Sequence, residues 1–226
     1  MVITMFQLLQ SFLSNSSSRL LVVSACSASK NYGGLNKGLT ANDLDDPIRR
    51  ATEETRLASY RLPAAQMYTG IGHGFVREAI SALREHSYLV SHFILSAGYG
   101  FLNENDLIVP YNVTFAKKPE KWIRERGQRL GLCDRFIAIA KEYDQAILIL
   151  GREYLEAIGL PLPAERLPRI LAYVAPSFVR RIGKGIETIP VGDTERRELD
   201  VYPSFVKEKQ FQTDVHIALL KGAEHV

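Results

Sequence analysis

The sequence predicts an α/β protein with a mostly parallel or mixed central sheet and flanking helices. Three observations carry that prediction. Apolar runs of strand length begin at Leu20, Phe93 and Gln145, as expected of strands buried on both faces. Each run breaks into small residues: Ser24-Ala25-Cys26-Ser27, Ser96-Ala97-Gly98 and Gly151. Helical stretches separate the runs, and this alternation points to crossover helices over parallel strands.

Taken in order, residues 1–13 are apolar, lack a basic leader and fall short of the ~20 residues of a membrane span, so they read as an amphipathic helix docked on the domain. Ser14 to Ser18 form a polar joint. The first strand opens at Leu20. After it, Gly33, Gly34 and Gly38 and the carboxylates Asp43, Asp45 and Asp46 lead to Pro47. Such a long loop is of the kind that covers a site. The spacing predicts a surface helix from Ile48 to Tyr60. A tight glycine turn at Gly70, Gly72 and Gly74 then leads into a helix whose apolar face is Phe75, Val76, Ala79, Ile80 and Leu83.

Residues 93–102 read as one buried strand and 107–114 as extended, with Pro110 tolerated only at an edge or strand end. Residues 122–140 read as one basic amphipathic helix. A third strand closes on Gly151, and a helix starts directly at Arg152. Beyond Pro161 the prolines 163, 168, 176 and 190 break the chain into short pieces. Residues 161–226 are therefore expected to form an irregular extension packed on a 1–160 core that includes the N-terminal helix, in a single structural unit.

Composition narrows the function classes. Of 226 residues, 46% are hydrophobic and 23% charged, which permits a full core and argues against disorder. The 28 Lys and Arg against 25 Asp and Glu give +3, which permits an anionic partner without demanding one. The two cysteines, Cys26 and Cys133, show no CxxC and no histidines at ligand spacing. Neither a disulfide framework, a metal site nor a cofactor is expected, and a reducing cytoplasm with no membrane partner fits best.

In parallel sheets, ligands bind outside the carboxyl ends of the strands. That rule gathers Cys26 to Lys30, Ser96 to Gly100 and Gly151 to Tyr154. Cys26 has two readings: a nucleophile for a carbon electrophile, helped by Lys30 and by turn amides, or a small cysteine buried at a strand end. Lys30 either stabilises an anion or is solvated. Ser27 and Ser29 line an anion pocket or cap the turn. Ser96, Gly151 and Arg152 complete the candidate substrate wall, with Tyr68 and Tyr99 beside glycines as an aromatic surface for a planar base. Gly70 and Gly72 are placed to offer amides to a phosphate, and Arg124, Arg180 and Arg181 to track a nucleic-acid backbone or simply to be solvated.

Four motifs, Val23 to Lys30, Met67-Tyr68-Thr69-Gly70, residues 94–102 with 107–111, and Leu150-Gly151-Arg152-Glu153-Tyr154, occur in the order and spacing of the YaaA-like superfamily, which the chain resembles over roughly residues 20–158. That superfamily includes DNA-binding peroxide-stress proteins. Within it, Cys26, Lys30 and Tyr32 are similar to the archaeosine synthase motif of Pro-Cys, three residues and Lys-Pro-Tyr. Ala25 and Asn31 stand where that motif has prolines, and Leu35 and Gly38 where it has Ser and His. Archaeosine synthases act on the nitrile of a 7-cyano-7-deazaguanine base in tRNA. The similar DpdC family of DNA 7-deazaguanine modification systems is implicated in converting the cyano base in DNA to the amide.

The resemblance therefore implies a nucleic-acid partner, DNA before RNA, or a base or nucleoside, with other DNA-modification proteins as companions. It implies that Cys26 adds to the nitrile as a thioimidate, that Lys30 and turn amides stabilise the developing anion, and that water releases the amide. Tyr68 or Tyr99 would stack on the extruded base. The alternative is a non-enzymatic DNA-binding stress protein with a structural Cys26, and a third expectation is a nucleoside or nucleotide enzyme using the same pocket.

Overall fold

The computed structural model describes residues 5–192 and 205–222. Its helices are α1 (Met5–Phe12), α2 (Ala41–Asp45), α3 (Pro47–Arg56), α4 (Ala64–Met67), α5 (Ile71–Glu85), α6 (Glu120–Arg129), α7 (Leu132–Ala140), α8 (Arg152–Ile158) and α9 (Val206–Gly222). Its strands are β1 (Arg19–Ala25), β2 (Leu62–Pro63), β3 (Leu89–Ser96), β4 (Gly100–Asn103), β5 (Leu107–Ile108), β6 (Gln145–Ile149), β7 (Arg169–Val174) and β8 (Glu187–Pro190).

Six strands form one sheet in the order β4-β3-β1-β6-β7-β8, parallel throughout except for β4, while β2 and β5 pair separately. Successive side chains on a strand point to opposite faces, so the uninterrupted run Leu20 to Val23 feeds two buried clusters. Leu21, Val23, Leu148 and Ala172 pack with Ile123, Phe136 and Leu155, under α6, α7 and α8. Leu20, Val22, Ile147 and Leu171 pack with Leu9, Phe12, Val76, Ile80, Phe211 and Val215, under α1, α5 and α9. The result is three layers, with the sheet in the middle. The N-terminal helix docks through Leu9 and Phe12; residues 1–4, also read as helical, lie outside the described residues.

The sequence reading needs correction at four places. Residues 93–102 are not one strand but a hairpin, β3 and β4, because Gly100 at φ +77° turns the chain back. Residues 122–140 are two helices, α6 and α7, parted at Gly131 with φ +60°. The helix expected from Ile48 to Tyr60 is α3 followed by a short 3-10 turn over Ala58–Tyr60. Beyond Pro161, β7 and β8 extend the main sheet and α9 packs on α5, while residues 193–204 and 223–226 of that stretch lie outside the described residues. Its prolines sit at element boundaries. Pro168 precedes β7 and Pro190 ends β8, the edge strand, where a missing N–H is tolerated.

The connections place the site. From β1 the chain returns to β3 through α5 on one face, and from β6 it returns to β7 through α8 on the other. Because β1 and β6 are neighbours, their carboxyl ends flank the crevice where the winding direction reverses. Cys26 follows β1 there, and the Gly151 to Tyr154 turn follows β6. Among the described residues no helix is long and apolar enough to cross a membrane.

Candidate functional site

Cys26 stands one residue past β1 with 7% of its surface exposed, and its N–H donates to Leu95 O at 2.9 Å as a last rung to β3. Its Sγ lies 3.1 Å from Tyr154 Oη, and the same phenol reaches Cys26 O at 3.2 Å. A phenol carries one proton. While that proton goes to the carbonyl, the thiol donates to Tyr154 Oη. On ionisation of the thiol the phenol proton is in reach of sulfur. Burial, and then the nearby Cys26 charge, hold the Tyr154 hydroxyl well above its usual pKa, so it remains a donor.

Beside the thiol runs a chain of buried hydroxyls. Ser96 Oγ and Tyr111 Oη are 2.7 Å apart, and Tyr111 Oη and Tyr68 Oη are 2.7 Å apart. The N–H groups of Gly98 and Tyr99 both donate to Ser96 Oγ at 3.0 Å. Burial and then the Cys26 charge push the Tyr68 and Tyr111 phenols well above their ordinary range. Tyr99 packs edge-on against Tyr111 at 5.2 Å, with the Arg50 guanidinium over its ring at 4.8 Å. Tyr68 packs edge-on against His73 and Tyr111. Both tyrosines are thus engaged with protein neighbours rather than presented as an open stacking face.

The loop after Cys26 is zipped onto the segment that follows α4. Asn31 N donates to Met67 O, Thr69 N donates to Ser29 O, and Lys30 bridges Tyr68 across an antiparallel pair. Ser27 Oγ accepts from Ser29 N at 3.0 Å and so closes the turn. A Cβ at Gly70 would lie 2.1 Å from Ser27 Oγ, so this glycine lets the α5 start approach the Cys26 loop. Lys30 Nζ sits 4.5 Å above the Tyr111 ring and 6.0 Å from the Tyr68 ring. Burial lowers its pKa from 10.5, opposed by the Cys26 charge, so it sheds a proton more readily than a solvated lysine.

The remaining expected residues lie apart from this centre. Gly72 packs α5 on α9, for a Cβ there would meet Phe205 Cβ at 3.0 Å. Arg152 is mostly exposed and pairs with Glu120 at 3.9 Å. Arg124 and Arg181 converge on Glu156, which is only 3% exposed, and Arg180 is exposed. A buried carboxylate holds two of the three arginines read as a phosphate-tracking face. Gly151 caps the start of α8 and sets the turn that brings Tyr154 to Cys26. Among the described residues no group of three His, Cys, Asp or Glu side chains is placed to hold a metal.

On the far side of β3, His73 and His92 stack at 5.9 Å, with His92 Nε2 2.9 Å from Ser24 Oγ and His92 Nδ1 3.4 Å from Glu104. Burial, and then the neighbouring His92, lower the His73 pKa from 6.5 to about 4, and burial lowers that of His92. Between these pH values the unfolded chain binds a proton that the folded chain refuses, so stability falls as pH drops from 6.5 towards 4. The shift corresponds to roughly 3 kcal/mol for His73. Glu208 and Asp214, whose carboxyls burial raises, act in the opposite sense. The expected result is a wild-type melting temperature that drops more steeply over that interval than that of His73→Gln; equal slopes would remove the histidine from the acid response.

Sequence reasoning missed two central residues. Tyr111 was read only as part of an extended segment, although Pro110-Tyr111 after an apolar run was a signal of a pinned loop. Tyr154 was gathered to the strand ends but given no role; its place two residues after the α8 start, facing β1, was the signal available. A family model described as a family of unknown function (DUF6884) matches residues 54–172, a stretch that holds Tyr68, Ser96, Tyr111 and Tyr154 but begins after Cys26 and Lys30. No curated protein matches the chain.

Proposed function

We propose that this chain, which belongs to the DUF6884 family of unknown function, converts the nitrile of a 7-cyano-7-deazaguanine base in nucleic acid, DNA before RNA, to the amide through Cys26. The observation that supports this most is the thiol at the reversal crevice with a protonated phenol 3.1 Å away, a nucleophile with its own proton carrier. Lys30, its basicity reduced by burial, accepts the thiol proton. The thiolate adds to the nitrile carbon, the carbon–nitrogen triple bond becomes a double bond, and Lys30 returns the proton to nitrogen, giving a thioimidate. Water then adds to the same carbon, the carbon–sulfur bond breaks, and the primary amide leaves with the thiol restored. No electrons are exchanged with a cofactor, and one water is consumed.

The rival reading, a non-enzymatic DNA-binding protein with a structural Cys26, leans on Arg124, Arg180 and Arg181. Glu156 holds two of them, which leaves that reading less support. The test is incubation of the full chain with DNA, RNA and free nucleoside carrying the cyano base, followed by mass spectrometry of the nucleosides. The expected product is the starting base plus one water, on DNA first. Unchanged base in all three substrates overturns the proposal.

A further inference from the structure

The hydroxyl chain beside Cys26 has a direction that its partners fix. Ser96 Oγ has two lone pairs, and the N–H groups of Gly98 and Tyr99 occupy both at 3.0 Å. Its own proton must therefore be donated, and the neighbour at 2.7 Å is Tyr111 Oη. Tyr111 is fully buried, so its proton needs an acceptor, and the hydroxyl in reach is Tyr68 Oη at 2.7 Å. Tyr68 thus accepts from Tyr111 and cannot return its own proton along the chain. Tyr68 is 2% exposed, and the hydrogen bonds found for its Oη leave that proton without a protein acceptor. The backbone amides of one turn therefore set the polarity of three hydroxyls in series.

We infer that Tyr68 is an obligate hydrogen-bond donor to the ligand beside Cys26, so that the site takes a substrate whose heteroatom becomes anionic as the thiol adds: a nitrile nitrogen or a carbonyl oxygen. The Tyr154 phenol and the Lys30 ammonium at the same centre are also donors. A pocket furnished only with donors is complementary to an anion that forms during the reaction. This assigns Tyr68 a role different from stacking on a base. It rests on the nucleophilic reading of Cys26 but not on the identity of the base.

The experiment compares two small thiol reagents on the full chain and on Tyr68→Phe, each adduct at Cys26 followed by intact mass across pH. With 2-cyanopyrimidine, thiol addition places charge on nitrogen. With iodoacetamide, sulfur displaces iodide and no such charge develops beside the thiol. Tyr68→Phe is expected to slow the nitrile reaction roughly 100-fold, the usual effect of losing one anion-hole donor, and to leave alkylation within about two-fold of wild type. Equal slowing of both reactions, or of neither, overturns the inference, and a thermal melt of Tyr68→Phe separates unfolding from lost chemistry. If the Tyr68 effect holds while the cyano base in nucleic acid is untouched by wild type, the substrate proposal fails and this one stands.

Discussion

Replacing Cys26 by alanine is expected to cut nitrile-to-amide turnover by about 1,000-fold or more, since the route loses its nucleophile rather than a helper. The change removes one sulfur from a site whose backbone is held independently by Cys26 N to Leu95 O, so the melting temperature should move little. Tyr154→Phe keeps the ring packing against Phe115 but removes the proton poised at sulfur, and should lower the rate by a smaller factor while sparing adduct formation. Single-turnover assays with mass detection of the Cys26 adduct distinguish these. Undiminished turnover in Cys26→Ala would sink the covalent route altogether.

The second large effect is on stability. Arg126 is 2% exposed and ties three things together: it donates to Ala97 O at 2.6 Å, to Gly98 O at 3.3 Å and to Asp45 at 2.6 Å. Arg126→Met would leave two turn carbonyls and a carboxylate short of a partner, and breaking a buried pair in this way costs about 3 to 5 kcal/mol. Arg129 pairs with the same Asp45 but from an exposed position, and Arg129→Met should cost no more than about 1 kcal/mol. Urea unfolding of the two variants side by side is the check; equal midpoints would mean the buried arginine is no clamp. Because Ala97 and Gly98 carry the turn whose amides hold Ser96, Arg126→Met should also lose the Tyr68-dependent preference for the nitrile reagent.

Much of the architecture was legible in the sequence because burial on both faces leaves an unmistakable mark. Runs such as Leu20 to Val23 and Ala146 to Leu150 have no polar alternation, and short polar or glycine-rich joints separate them from helices. The same property hid the hairpin at residues 93–102. Ile94, Leu95, Phe101 and Leu102 are all buried, so hydropathy does not dip where Gly98 and Gly100 turn the chain. It hid β7 and β8 as well, because prolines at element edges look like prolines in irregular chain when pairing partners are unknown.

For the site, the sequence by itself determined that a thiol and an amine, Cys26 and Lys30, follow a buried strand at its carboxyl end. Local chemistry settles that much, since a small-residue turn after an apolar run must end the strand there. Only the tertiary structure decided what the thiol meets. Tyr154 comes from 128 residues away and reaches Cys26 because β6 lies beside β1. The direction of the Ser96–Tyr111–Tyr68 chain depends on which lone pairs the Gly98 and Tyr99 amides fill. Hydrogen-bond polarity is a property of closed networks, and strand pairing closes this one.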